Sequence, residues 1–407
     1  MPESVNEAVG TLSAASSCPR ARSKTFFGSS ARTATRSDSL QTSTRHKPGS
    51  AAQDLVLSSV IPGSGGRVMR ALEHTSDIVL PDQRVAVCGD WHGNVGWART
   101  IARVLPHLAP DVTTLLHLGD WWMPSAEVDE VFADTGIERI FVTLGNHEQW
   151  DEITPILDAH PGDAVRISEL IWLLPRPARL VIRGCRVLSL GGAASVDRQS
   201  RIEGLTWWPD EAIDDAHVAE AIAGGPADVM LTHESPAGTP VRVVREILRT
   251  NPYGFPEAAL EASAASRARV TEVWDAVRPE LLAHGHLHAP GGGKTEDGRR
   301  VASLGREGQE GNLGILDMKT LRMATPSLAI IRSMAEQWED EHLARERRAK
   351  GAAEALHSGV LDGLTPTPGA LRDAQDYVDG RRTLDEIIDG VIRRHTRHPK
   401  GDKEDEP

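Results

Sequence analysis

From residue 84 onward the chain is punctuated by short apolar runs, each ending in a polar or glycine-containing turn: RVAVCGD, TTLLHLGD, RIFVTLGNHE, VLSLGG, DVMLTHE and ELLAHGHLH. Their shortness and their β-branched and leucine content predict strands. Between the first three runs, residues 97–108 and 126–135 have helical potential. Strands alternating with helices predict an α/β architecture. Polar residues gather at the carboxyl ends of the strands, where open α/β sheets place their chemistry.

The flanks differ in character. After His288, the segments RRVASLG, NLGILDM and LRMATPS read as further strands, with Asp297-Gly298 as a turn signal between two of them. They close a domain expected over 76–327. A polar helix from Leu328 to about His357 has Glu and Arg dominating its middle and no wide apolar stripe, which predicts a solvated connector over 328–351. Residues 352–397 predict a small helical module whose last helix opens with a capping box, Thr383 and Glu386. Leu371, Ala374, Tyr377 and Val378, then Leu384, Ile387, Ile388 and Val391, recur at the helical period. Residues 1–75 are rich in Ser, Ala, Arg, Thr and Gly without a sustained apolar period, the composition of a disordered extension. Its Arg and Ser content superficially resembles a transit peptide, but a flexible extension or an over-long start is the reading retained.

Composition narrows the class. At 407 residues, with 40% hydrophobic and 25% charged, the chain can hold two or three globular domains. A net charge of −13 weighs against long nucleic acid as the main partner, and no clear nucleic-acid surface is expected. Cys18, Cys88 and Cys185 form no CxxC pair, so neither a disulfide framework nor a thiolate zinc site is indicated. With no apolar run of about 18 residues and no apolar signal core, no membrane span is expected, and a cytoplasmic location fits best.

The strand-end turns carry the chemistry. Asp90 and His92 lie two apart in GDWHGN, so an oxygen and an imidazole can converge on one cation. Alone, such a DxH is weak evidence, because a turn Asp is more often a cap. Asp120 follows the next strand, with Gly119 allowing close backbone approach. Asn146 and His147 follow the third strand, His233 a later one, and His286 and His288 end the series. A purely structural explanation would need the same coincidence at strand after strand. His117 and His284 lie within strands and read as packed core histidines. GGGKT at 291–295 lacks a glycine where His288 stands and precedes no clear helix, so it reads as a turn and not a P-loop.

In this order, DxH, GD, GNH followed by an acid, H and GHxH, the chain resembles the calcineurin-like metallophosphoesterase family over about residues 78–326. The resemblance implies a two-sheet β-sandwich flanked by helices, a four-layer αββα fold. It further implies that Asp90, His92 and His288 hold one metal, that Asn146, His233 and His286 hold a second, and that Asp120 bridges them. His147 would stand beside the leaving group, and Glu148 would orient a neighbouring histidine. Mixed carboxylate, amide and imidazole ligands suit Mn²⁺, Fe, Zn²⁺, Ni²⁺ or Co²⁺ better than a soft-thiolate or all-oxygen calcium site, and Mn²⁺ is the leading expectation. Two cations about 3.5–4 Å apart can share a hydroxide and clamp both oxygens of an in-line displacement. The expected substrate is a small phosphomonoester or phosphodiester. The stretch SVDRQSRIEGLTWWPDE puts Asp197, Arg198, Arg201, Trp207 and Trp208 in a loop similar to those bordering the cleft in bacterial and phage members.

The C-terminal module resembles the VbhA-type antitoxin domain, whose motif Ser/Thr-x-x-x-Glu-Gly finds its match in Ser358, Asp362 and Gly363, with Asp in place of Glu. That implies a Fic-type protein as a separate partner, since no HPFxxGN-type motif occurs in this chain. The competing classes are a scaffold that has lost catalysis and a protein whose main function lies in the antitoxin-like module.

Overall fold

The computed structural model describes residues 69–361 and 365–396; the expected extension up to residue 68 lies outside them. Two short edge strands come first, β1 (Glu73–Thr75) and β2 (Val79–Leu80). The first three apolar runs then form β3 (Arg84–Cys88), β4 (Thr114–His117) and β5 (Arg139–Val142). The connecting segments form α1 (Val95–Leu108) and α2 (Ser125–Phe132), close to the expected spans. After α3 (Trp150–Asp158) come β6 (Ala164–Arg166), β7 (Ile171–Leu173) and β8 (Ala178–Ile182). The later runs form β9 (Cys185–Leu190), β10 (Val229–Thr232) and β11 (Leu281–His284). Three helices separate these: α4 (Asp215–Ala223), α5 (Arg242–Thr250) and α6 (Glu257–Val277). The domain closes with β12 (Gly291–Lys294), β13 (Arg300–Ser303), β14 (Gly314–Asp317) and β15 (Arg322–Ala324).

The strands build two mixed sheets, ordered β1-β6-β7-β5-β4-β3-β14-β15 and β12-β13-β11-β10-β9-β8-β2. Their middles are parallel: β3, β4, β5 and β7 in one, β9, β10, β11 and β13 in the other. Parallel strands covered on both faces read as continuous apolar runs, and alternate residues serve different layers. Val85, Val87 and Leu116 face Leu180, Val187, Val229 and Leu231 in a core between the sheets. Ala86, Cys88 and Leu115 face the other way, against Ile101 and Leu105 of α1 and Phe132 of α2. On the second sheet Leu188, Met230 and Leu282 meet Val218, Val244 and Val273 from α4, α5 and α6. This is the expected four-layer sandwich.

Several expectations are corrected by the packing. GGGKT is not a turn: Gly291–Lys294 is the edge strand β12, antiparallel to β13. The turn falls at 295–298, where the Thr295 N–H donates to Arg299 O at 2.9 Å and Gly298 has φ +93°. The glycine run permits the strand, because a Cβ on Gly293 would collide with the Pro240 backbone. The sheet also begins before residue 76, since β1 pairs with β6 through Glu73 and Arg166.

The connector is not simply solvated. A single helix, α7 (Leu328–Leu361), runs without a break across residue 351. Its first turns are part of the domain core, with Ile331 fully buried and Ala335 nearly so against the α1 layer. Arg103 of α1 donates to Glu339 at 3.2 Å and lies 4.8 Å from the Trp338 ring. A stripe this narrow is masked by the charged residues around it. Two further helices follow, α8 (Pro368–Val378) and α9 (Leu384–Thr396). The capping box forms as expected: the Thr383 N–H donates to Glu386 at 2.8 Å and the Glu386 N–H to Thr383 Oγ1 at 3.3 Å. Asp362, Gly363 and the side chain of Ser358 lie outside the described residues. No helix among the described residues is long and apolar enough to cross a membrane.

Candidate dinuclear metal centre

The turns after β3, β4, β5, β10 and β11 converge. Asp90, His92, Asp120, His286 and His288 all have positive φ, between 44° and 71°. Such backbone costs roughly 1–3 kcal/mol per non-glycine residue and persists where the surroundings impose it. Here the imposition is mutual. The Asp90 N–H donates to Gly119 O at 2.8 Å, the His92 N–H to Asp120 O at 2.8 Å, and the His286 N–H to Asp90 Oδ1 at 3.0 Å. Gly145, in the GNH turn, lies so close to Asp120 that a Cβ there would strike its carboxylate.

Two clusters of donor atoms result, Asp90/His92/Asp120/His288 and Asp120/His233/His286, with the atoms within each lying no more than 4.8 Å apart. Asp120 belongs to both. Its Oδ2 lies 3.3 Å from His92 Nε2 and its Oδ1 3.2 Å from His233 Nε2. Asn146 joins the second cluster, its Oδ1 3.1 Å from His233 Nε2. The structure therefore brings together all seven residues expected to be ligands.

The donor set fits cations. Asp90 Oδ2, His286 Nε2 and His288 Nε2 are buried atoms without a hydrogen-bond partner, and orphaned buried polar atoms of this kind require an explanation such as an ion. The protonation pattern agrees. Burial acts against charge on His92 and His233, yet Asp120 and Asp90 outweigh it and push them up to about 9 and about 10. Burial and the His233 charge drive His286 well below its ordinary range. Burial would raise Asp120, but His233 and His147 hold it well below the usual carboxylate range. The carboxylates thus hold protons on two of the imidazoles, and metal ligation would replace those protons.

The other nitrogen of two of these imidazoles is tied down. His92 Nδ1 donates to Glu307 at 3.0 Å and His233 Nδ1 to Leu118 O at 2.6 Å, which turns each Nε2 inward. Sequence reasoning missed Glu307, which sits in a polar loop with nothing to distinguish it from a solvated acid. It also missed Asn312. This buried amide makes four bonds, accepting from Trp91 and Trp97 Nε1 at 3.0 and 2.6 Å and donating to Gly89 O and Gly305 O at 2.6 and 2.7 Å.

His147 donates its N–H to Asp120 Oδ1 at 2.8 Å, and its Nε2 lies 3.7 Å from Asp197. Burial, with the Arg201 charge, lowers it. Glu148 does not orient a histidine. Its buried carboxylate accepts the N–H groups of Gly145, Trp121 and Trp122 at 2.9, 3.2 and 3.3 Å, so it locks two ligand turns to each other. His117 and His284 are fully buried strand residues outside both clusters, as expected. In the loop after β9, Arg198 lies 3.7 Å from the Trp207 ring and Trp208 packs on the α1 core. Arg201 reaches Ser195 Oγ at 2.7 Å and Asn146 O at 3.4 Å.

Fold and site together define a metal-dependent enzyme of the two-sheet sandwich class. A model of the calcineurin-like phosphoesterase family matches residues 83–290, half of the chain, and the chain belongs to that family, whose members hydrolyse phosphate esters. The antitoxin VbhA model matches residues 348–394. No curated protein matches it. Similar solved structures include the protein TT1561 of Thermus thermophilus, 12% identical, covering 60% of this chain and 99% of that one at a TM-score of 0.37. An archaeal phosphodiesterase is 14% identical, covering 60% and 99% at 0.31. A dimetal phosphatase from Danio rerio is 9% identical, covering 61% and 97% at 0.39.

Proposed function

We propose that this phosphoesterase works with two metal ions, one on Asp90, His92 and His288, the other on Asn146, His233 and His286, with Asp120 shared. The observation carrying this reading is the membership of Asp120 in both donor clusters. When bound, two such cations lower the pKa of a water and neutralise charge on the phosphoryl group. Mn²⁺ is the first metal to test, with Fe, Zn²⁺, Ni²⁺ and Co²⁺ also suited to mixed oxygen and nitrogen donors. The chain's own contribution is to fix geometry and to move a proton. His147, tied by its N–H to Asp120, presents Nε2 to the leaving oxygen, where an imidazolium donates a proton or an N–H stabilises the charge that develops as the ester bond breaks. The substrate is a small phosphomonoester or phosphodiester, and the site lies in a cytoplasmic protein. Hydrolysis of p-nitrophenyl phosphate and of its bis ester by Mn²⁺-loaded protein tests this. Turnover no faster than that of an Asp120→Asn control would overturn it.

A second reading concerns the C-terminal helices and is supported by the VbhA match over 348–394. In it, the segment from Ser358 to Gly363 engages a separate Fic-type protein. A pull-down from the native host that recovers no such protein removes this reading.

A further inference from the structure

The side-chain amide of Asn146 has two ends of nearly the same shape, and only one can serve a cation. An amide oxygen ligates; an amide nitrogen, which carries two donor hydrogens and whose lone pair is delocalised into the carbonyl, does not. Something must set which end faces the centre, and in a site this buried the choice rests on hydrogen-bond polarity. Asn146 Nδ2 lies 3.1 Å from Ser195 Oγ. That hydroxyl has one proton to give and two lone pairs to fill. Its proton goes to Glu211 Oε2 at 2.6 Å, and one lone pair accepts from Arg201 Nη1 at 2.7 Å. The second lone pair is left for the Asn146 amide nitrogen. A flipped amide would set its oxygen against an oxygen with no proton to offer.

The polarity is anchored further back. The Ser195 N–H also donates to Glu211, to Oε1 at 2.7 Å, so the carboxylate grips both donors of one residue. Ser195, Glu211 and Asn146 are each under 5% exposed. Arg201 adds a contact to the Asn146 carbonyl at 3.4 Å and lies 3.8 Å from Glu211, so the buried acid has a countercharge.

We infer that Glu211, Ser195 and Arg201 are positioning residues that orient the Asn146 amide with its oxygen toward the centre, and so set the affinity of the second metal site. The inference rests on the reading of Asn146 as a ligand. It gives the loop from Ser195 to Glu211 a role that no metal-ligand motif assigns.

The test is Mn²⁺ titration of metal-free protein by calorimetry, with metal content after gel filtration as a second readout. Ser195→Ala weakens the second of two binding events by about ten- to hundred-fold, the usual cost of losing a partner that orients a ligand, and leaves the first unchanged. Ser195→Thr, which keeps the hydroxyl, restores it. In an Asn146→Asp background Ser195→Ala costs no more than roughly 3-fold, because a carboxylate presents an oxygen either way round and the two changes cease to be independent. Glu211→Gln, with one acceptor oxygen for two Ser195 donors, gives a loss in the same direction and serves if Ser195→Ala does not fold, as judged by circular dichroism. Ser195→Ala or Glu211→Gln protein that folds and binds both ions like the parent overturns the inference, as does an equal Ser195→Ala loss in the Asn146→Asp background. Asn146→Ala separates the levels. If it too binds both ions normally, the ligand reading has failed; if it alone loses the second ion, only the positioning role has.

Discussion

The two halves of the candidate metal centre are braced in different ways. Around the first cluster, His92 and His288 are partly exposed, and the brace is a carboxylate, Glu307, on His92 Nδ1. Around the second, His233 and Asn146 are almost fully buried, and the braces are neutral at the point of contact: the Leu118 carbonyl and the Ser195 hydroxyl. A charged brace at the mouth raises the basicity of its imidazole, while in the interior an extra unpaired charge would be expensive. Glu211 is therefore set one residue further back, with Arg201 near it. Each half is also closed by one saturated polar group, Asn312 with four bonds near Asp90 and Ser195 with three near Asn146.

The strongest way to break this division is to remove the group common to both halves. Asp120→Asn lowers kcat/KM on p-nitrophenyl phosphate by about a thousand-fold or more, the rate equivalent of ~4 kcal/mol for breaking a buried charged contact, and metal analysis shows both ions lost. Asn312→Ala acts next, on stability. It strands two indole N–H groups and two carbonyls, and thermal denaturation should report a loss of about 2–4 kcal/mol. Glu307→Gln is narrower: calorimetry should show the first Mn²⁺ weakened by about ten- to hundred-fold with the second unaffected. If both sites weaken equally, the halves are not separately braced. The smallest effect is expected from Arg198→Ala, which removes a contact with the Trp207 ring worth about 0.5–1 kcal/mol; the melting temperature should fall slightly and metal binding should not change.

What can be read from the sequence follows this same line. The seven candidate ligands stand out because each is a donor at the end of an apolar run, and the runs themselves set the middle strands of both sheets. Their braces do not stand out. Glu307 lies 215 residues from His92 and Asn312 lies 221 from Trp91, in polar loops where an acid or amide signals only solvent contact. Glu211 is hidden in a loop whose Arg and Trp residues are more conspicuous. The Gly291–Gly293 strand lacks any side-chain pattern, because its place depends on what its neighbour Pro240 leaves room for. The docking of α7 is equally hidden, because Ile331 and Ala335 form too thin a stripe to show against so many charges.

That helix has a mechanical consequence. Ile331 roots it in the domain core, and Arg348, whose Nε donates to Val378 O at 3.1 Å, is where α8 attaches. The two anchor points are 17 residues apart, about 25 Å of unbroken helix. The stretch matching the antitoxin VbhA thus sits at the end of a rod whose foot is fixed in the phosphoesterase, and a load applied at one end travels along a strut with no joint between.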